Sequence, residues 1–400
     1  MKAIRTTLPS RKKHRIITSS RMTANPLPVS PSARRGGRSP LRPRSEASRL
    51  AALRHSLSRL KLDALFITHL PHIRWLTGFT GSNAVVLVSS RKQWLLTDGR
   101  YKTQAPNEVE GFEILTASKS LFALAAEKKL LRPRTRVGIP AGHLTLAVYH
   151  NVRRLFSSMR LVDTVNVVEP LVAVKEEFEI VLIRKAVEIT DAVFTRILRL
   201  IKPGIRELDI AAEISYLHRT AGSDGDAFEP LVASGERGAL PHARASERKL
   251  RRGDLVTLDF GCRFRGYCSD LTRTVAVGTV SREKKKIYST VLEAQLLAIE
   301  RAAEGVHGKT LDRIARNHIR KRGYGRYFNH SLGHGVGLEI HEPLRLSALS
   351  KDVLQTRNVA TIEPGIYVPN VCGVRLEDDI VIRGKGCEVL NRSTKELLTL

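Results

Sequence analysis

Apolar residues recur at spacings of three and four through Leu50, Leu53, Leu57 and Leu60, which predicts a helix opening at Glu46. The run Leu62-Asp63-Ala64-Leu65-Phe66-Ile67-Thr68 then reads as a buried strand, and Ala84 to Val88 and Gln93 to Thr97 as two more joined by a polar turn. Helix and strands on short links indicate an α/β domain over residues 46–168. A second unit, residues 175–400, opens with Lys175-Glu176-Glu177-Phe178-Glu179-Ile180, where acidic residues start a long helix through Leu182, Ile183, Ala186, Ile189, Val193, Ile197 and Leu200. Lys202-Pro203-Gly204 stops it. A second helix is expected from Glu207 to Leu217, strands at Leu255 to Phe260 and Tyr267 to Val277, and a third helix from Ser281 to Ala303.

Before Glu46 the pattern is lost. Pro26, Pro28, Pro31, Pro40 and Pro43 are spaced too closely for a helix or a central strand, so residues 1–45 are expected to be a disordered basic leader. Charge makes the contrast sharper. The 400-residue chain carries 67 Lys+Arg against 39 Asp+Glu, a net +28, and 12 of the basic residues but no acidic one fall in residues 1–45. The rest of the chain therefore holds 55 basic and 39 acidic residues, a net of +16. Three readings of the leader follow: an organellar transit peptide, a basic binding tail, or an over-extended start with Met22 as initiator.

A hydrophobic fraction of 42% excludes global disorder and a small disulfide scaffold, and the length suggests two or three domains at roughly 150 residues each. No stretch approaches the roughly 18–20 apolar residues of a membrane helix, and no secretory signal core is present. Cys262, Cys268, Cys372 and Cys387 show no CxxC spacing and read as thiols of a reducing compartment. The expectation is a cytoplasmic protein without membrane or specific nucleic-acid partners, or an organellar one if the leader is a transit peptide.

Three segments carry chemistry. In the first, Thr257-Leu258-Asp259-Phe260-Gly261 and Ser269-Asp270-Leu271-Thr272 flank Arg265-Gly266, which predicts a hairpin with Asp259 roughly opposite Asp270. Like charges so placed require a cation between them, unless the carboxylates are solvated at a sheet edge. The second segment is Asn329-His330-Ser331-Leu332-Gly333-His334-Gly335-Val336-Gly337-Leu338-Glu339-Ile340-His341-Glu342, whose alternating glycines argue against a helix and permit close backbone approach around His334. The third places Glu363 and Glu377 inside apolar strand-like runs, Val359 to Val368 and Val371 to Ile382, so that each is partly buried and needs a metal ion or a partner such as Arg375.

Four carboxylates and one imidazole without a thiolate suit two hard or borderline divalent ions, Mn, Co or Fe more than a structural Zn. Two such ions about 3.5–4 Å apart hold a bridging hydroxide and polarise a carbonyl, which is chemistry for amide hydrolysis.

Asp259, Asp270, His334, Glu363 and Glu377, in this order and in these motifs, closely resemble the ligand set of the pita-bread metallopeptidases, which include Xaa-Pro aminopeptidases, prolidases and methionine aminopeptidases. Thr77-Gly78-Phe79-Thr80-Gly81-Ser82 and Thr97-Asp98-Gly99-Arg100-Tyr101 extend the resemblance to the creatinase-type N-terminal domain. The resemblance implies an α/β creatinase-like domain followed by an α+β pita-bread catalytic domain. It also implies Asp259 on one ion, His334 and Glu363 on the other, and Asp270 and Glu377 bridging both. His242, His330 and His341 would line the substrate site and stabilise the tetrahedral intermediate, Glu363 would shuttle the proton, and Arg375 would orient the bridging glutamate.

Methionine aminopeptidases usually lack the N-terminal domain, so the expectation is an Xaa-Pro aminopeptidase acting on peptides with proline in second position. The expected cofactor is a pair of divalent ions, manganese first and Co, Fe or Zn after it, and the expected assembly is a homodimer. An Xaa-Pro dipeptidase is the alternative within the family. A non-catalytic peptidase-like binding module is the alternative of another class, against which stands the complete ligand set.

Overall fold

The computed structural model describes residues 46–400, so the expected leader lies outside the described residues. The first half is built on a six-stranded mixed sheet in the spatial order Glu113–Ala117, Gln93–Asp98, Ala84–Ser89, Ala64–Ile67, Arg136–Pro140, Arg160–Thr164. The three central strands pair antiparallel and the outer neighbours parallel. Parallel neighbours need a crossover, and the helices Gln104–Glu108 and Leu146–Leu155 supply two of them.

Both faces of this sheet are covered at its centre, which is why Ala64–Ile67 and Ala84–Ser89 are almost continuously apolar. Leu65, Ile67, Val86, Val88 and Leu95 enter one core, while Phe66, Val85, Leu87, Trp94 and Leu96 enter the other. The first of these cores also takes in Ile180, Ile183 and Val187 of the next long helix together with Val336 and Leu338, so the two halves share buried surface. The strand expected at 62–68 is shorter, Ala64–Ile67. Its start is trimmed because Lys61 turns left-handed (φ 54°) and Leu62 N–H closes the preceding helix on Leu57 O.

In the second half, the helices Glu177–Ile197 and Glu207–Thr220 pack with the strands Leu231–Ser234, Leu255–Phe260 and Leu271–Ala276 around one core. A second core lies beneath Arg282–Arg301 and Gly308–Lys321, against the five-stranded sheet ordered Glu342–Leu346, Gly333–Gly335, Val359–Ile362, Asp378–Arg383, Gly386–Val389. The long helix buries Ile183, Ala186, Ile189, Val193 and Ile197 of the expected stripe, and Ile180 and Val187 besides, while Leu182 and Leu200 are only partly buried. It gives way to a 3-10 turn at Leu198–Leu200, and Gly204 at φ 93° carries the reversal that follows.

One buried ion pair ties the start of the second half to the strand Glu342–Leu346. Lys175 Nζ contacts Glu342 Oε2 with both side chains almost fully buried, and it also donates to Val172 O at 2.9 Å. Glu342 Oε1 in turn accepts the Leu338 N–H at 2.9 Å, which fixes the loop containing His341. Cutting such a pair on one side strands a charge in the interior. Lys175→Met is expected to destabilise the fold by about 3–5 kcal/mol and Lys175→Met/Glu342→Gln by less, as read from urea unfolding midpoints; equal loss in both variants would count against the pair.

Candidate active site

The two carboxylate pairs come from two hairpins. In the first, Leu255–Phe260 pairs antiparallel with Leu271–Ala276, and the turn is at Arg265-Gly266, both left-handed at φ 47° and 83°. The register differs from the expected one. Asp259 faces Thr272, and Asp270 follows Ser269, whose N–H bonds Cys262 O at 3.0 Å. Asp270 is thus two positions along the ladder from the residue opposite Asp259, and strand alternation still leaves both on one face.

The second hairpin changes sheets midway. Val359–Ile362 pairs with Asp378–Arg383, and beyond a break Gly365–Val368 pairs with Cys372–Arg375. Ile362 faces Asp378 and Gly365 faces Arg375, so one register runs through the break and sets Glu363 opposite Glu377. Both glutamates therefore occupy the gap between strands and not the strand interiors expected from the sequence. Pro364 lacks an N–H for the ladder, so pairing is interrupted there. The hairpins are joined where Glu377 N–H bonds Thr272 O at 3.0 Å.

His334 comes from Gly333–Gly335, and Gly335 pairs with Ala360 of the second hairpin. Here glycine is a packing requirement. A Cβ on Gly333 would fall 2.0 Å from Thr361 O. The three acids Glu377-Asp378-Asp379 divide their tasks by partner. Asp378 is paired with Arg273 and Lys395, Asp379 accepts the Asp270 N–H at 2.8 Å, and Glu377 alone of the three lines the cavity.

A single cavity of about 260 Å³ is lined by all nine expected residues: Asp259, Asp270, His334, Glu363 and Glu377, with His242, His330, His341 and Arg375. Donor atoms of Asp270, His334 and Glu377 lie within 4.8 Å of one another. His334 Nε2 is 3.4 Å from Glu363 Oε1 and 3.8 Å from Asp270 Oδ2. Burial, then the charge of Glu377, holds the Asp270 and Glu363 carboxyls far above the usual carboxylate range; burial and Asp259 push Glu377 up to about 8. Burial and the neighbouring His341 lower His334 to about 3, so its imidazole is neutral and able to donate a lone pair. The Asp270 Oδ1 atom is buried without a hydrogen-bond partner among the described residues. Oxygen donors, one neutral imidazole and an orphaned carboxylate oxygen fit divalent cations.

Several supporting residues escape a reading of the sequence. Thr272 donates to Glu377 Oε2 at 2.6 Å, and Arg375 Nε donates to the same hydroxyl at 3.2 Å. Arg375 thus reaches Glu377 through Thr272, while its other arm pairs directly with Asp259. Tyr367 OH accepts from Arg375 at 2.8 Å and lies 2.8 Å from His330 Nε2. Arg345 also lines the cavity, and its guanidinium has no ion pair among the described residues. The alternation of Glu342–Leu346, buried at Glu342, Leu344 and Leu346 and exposed at Pro343 and Arg345, was the available sign that Arg345 points away from the core.

A cluster of opposed carboxylates on two joined hairpins, with one neutral imidazole, is a donor set suited to divalent cations of the kind metal-dependent hydrolases use. Residues 181–384 match the model of metallopeptidase family M24, and residues 49–173 match the Creatinase/Prolidase N-terminal domain. The chain belongs to metallopeptidase family M24. It is 39% identical over 310 residues to an Xaa-Pro dipeptidase of Pyrococcus furiosus, covering 76% of this chain and 88% of that protein. The structure is similar to an Xaa-Pro dipeptidase from Bacillus anthracis (TM-score 0.86, 38% identity, 89% of this chain and 100% of that one). It is similar also to an X-Pro aminopeptidase from Thermotoga maritima MSB8 (TM-score 0.80, 35% identity, 86% and 100%). Among the described residues no helix is long and apolar enough to cross a membrane.

Two outcomes are expected. Carboxyls that hold protons at neutral pH must release them to bind a cation, so calorimetric titration of the metal-stripped protein at pH 7 in buffers of different ionisation enthalpy should register proton release. That release should shrink as pH rises through about 8, where Glu377 has already lost its proton. Thr272→Val removes the hydroxyl that holds Glu377 and should weaken metal affinity or activity about 10–100-fold with little change in the folded spectrum.

Proposed function

We propose that the protein is an Xaa-Pro dipeptidase using two divalent ions, manganese first among the candidates. The observation carrying the choice is Arg345, a cation without an ion pair among the described residues, on the wall of the same cavity as the carboxylates. A dipeptide presents its own carboxylate one residue beyond the scissile bond, and a guanidinium matches that group with two parallel donors. The likeness to Xaa-Pro dipeptidases of Pyrococcus furiosus and Bacillus anthracis supports the same reading. This departs from the aminopeptidase preference expected from the sequence, which the Thermotoga relative keeps as the second reading.

Divalent ions held by Asp259, Asp270, His334, Glu363 and Glu377 would supply Lewis acidity and make water nucleophilic near neutral pH. In the proposal Glu363 takes the proton lost by the attacking water and returns it to the proline nitrogen as the C–N bond breaks, a role suited to a carboxyl whose affinity for protons is raised. His341, lowered by burial and then Arg345, stays neutral and donates its single N–H to the substrate oxygen, whereas His330, lowered to about 4 by burial and then Arg375, spends its N–H on Ser331 O and accepts from Tyr367 OH, and so shapes the cavity wall. Arg375 holds Asp259 and, through Thr272, Glu377.

Xaa-Pro dipeptides should be hydrolysed at least about tenfold faster than Xaa-Pro-Xaa tripeptides, a difference of 1.4 kcal/mol or more; the reverse order would sink the dipeptidase reading. Arg345→Gln should raise KM for dipeptides while changing kcat little, and Glu377→Ala should reduce hydrolysis to background in a folded protein, both measured by proline release.

A further inference from the structure

A second group of metal-competent side chains lies outside the carboxylate cluster. His69 caps the helix Leu70–Thr77, His72 is buried inside it, and His143 follows the strand Arg136–Pro140. Their donor atoms lie within 4.8 Å of one another. The rings of His69 and His143 stack at 4.0 Å between centroids, and His72 stands edge-on to both, at 4.7 and 5.4 Å. Two carboxylates flank the group: Glu339 Oε2 is 2.9 Å from His69 Nε2, and Glu169 Oε1 is 3.4 Å from His143 Nε2.

All five residues line one cavity of about 340 Å³. His341 lines both this cavity and that of the active site, so the two are neighbours sharing a wall. Glu339 stands two positions before His341 in the catalytic half, whereas the three histidines belong to the N-terminal half.

We infer that His69, His72 and His143, with Glu339, form a binding site for Zn²⁺ that clasps the N-terminal half to the loop containing His341. Three imidazoles and one carboxylate are a donor set zinc accepts in tetrahedral geometry. Zn–N bonds of about 2.1 Å imply donor separations of roughly 3.4 Å, so binding draws the imidazoles inward from their present spread by rotation of His69 and His143, the two at the cavity surface. The buried His72 need not move. Burial, and then the opposing effects of Glu169 and the other two histidines, lower it to about 4, which leaves its lone pair free at neutral pH. The inference is independent of substrate preference, since none of these residues belongs to the proposed catalytic set.

Equilibrium dialysis of the metal-stripped full chain against buffered Zn²⁺, followed by metal analysis, counts the ions bound. One ion fewer per chain is expected in His143→Ala and in His69→Gln/His143→Gln than in the unaltered protein, with circular dichroism unchanged. In both variants the upward shift in Tm that zinc gives the unaltered chain should diminish. Equal stoichiometry in variant and unaltered protein at the same free zinc overturns the site, as does loss of one ion only from Glu377→Ala. His143→Ala lies at the rim of the cavity, so the test survives if the double variant fails to fold.

Discussion

Four carboxylates are brought together at the meeting of two hairpins, and their mutual repulsion in a dry setting is the constraint around which the catalytic half is arranged. Asp259, Asp270, Glu363 and Glu377 all line one cavity, and burial raises the proton affinity of three of them. Such a cluster is tolerable when protonated or when cations sit among the oxygens. The rest of the structure supplies rigidity, so that the carboxylates cannot relieve the repulsion by moving apart. Arg273 is part of that frame: fully buried, it pairs with Asp378 and donates to Thr272 O, Glu377 O, Ser393 O and Thr394 O, binding the two hairpins and the C-terminal segment together.

The same arrangement explains why the neighbouring cations differ in role. Arg375 faces Asp259 and, through Thr272, Glu377, so its charge is spent inside the cluster. Arg345 faces the same cavity without an acidic partner among the described residues, so its charge is not spent inside the cluster. Sequence distance does not distinguish them. The distinction arises from which strand face each occupies and from what lies across the cavity.

The histidines divide in a similar way. His330 is tied to Tyr367 and to Ser331 O, His334 packs edge-on against His341 at 4.3 Å, and His69, His72 and His143 gather in the adjoining cavity. The loop 338–342 lies between the two groups, fixed by Glu342 and its buried partner Lys175. A change in the way the N-terminal half grips Glu339 would therefore be felt at His341. That link between halves is made by side chains from distant parts of the chain, and no local pattern announces it.

Sequence periodicity was enough to identify the N-terminal helix, the first strands and the long helix near residue 180, and residue chemistry singled out the carboxylates and histidines that the fold gathers in one cavity, because these depend on local spacing and on distinctive residue types. It also indicated that Asp259 and Asp270 share a hairpin. It misjudged their register by two positions and put Glu363 and Glu377 inside strands, because a hairpin's register depends on turn and ladder geometry, and a proline-interrupted ladder still looks apolar from end to end. Thr272, Tyr367 and Arg345 were beyond a reading of the sequence for a further reason. Thr272 matters through Glu377, 105 residues away, Tyr367 through Arg375 and His330, 8 and 37 residues away on other strands and loops, and Arg345 through the lack of a partner, and only the folded chain decides which side chains meet. The sequence by itself determined what chemistry was available; the tertiary structure decided which charges are opposed, which are paired and which lines the cavity without an acidic partner among the described residues.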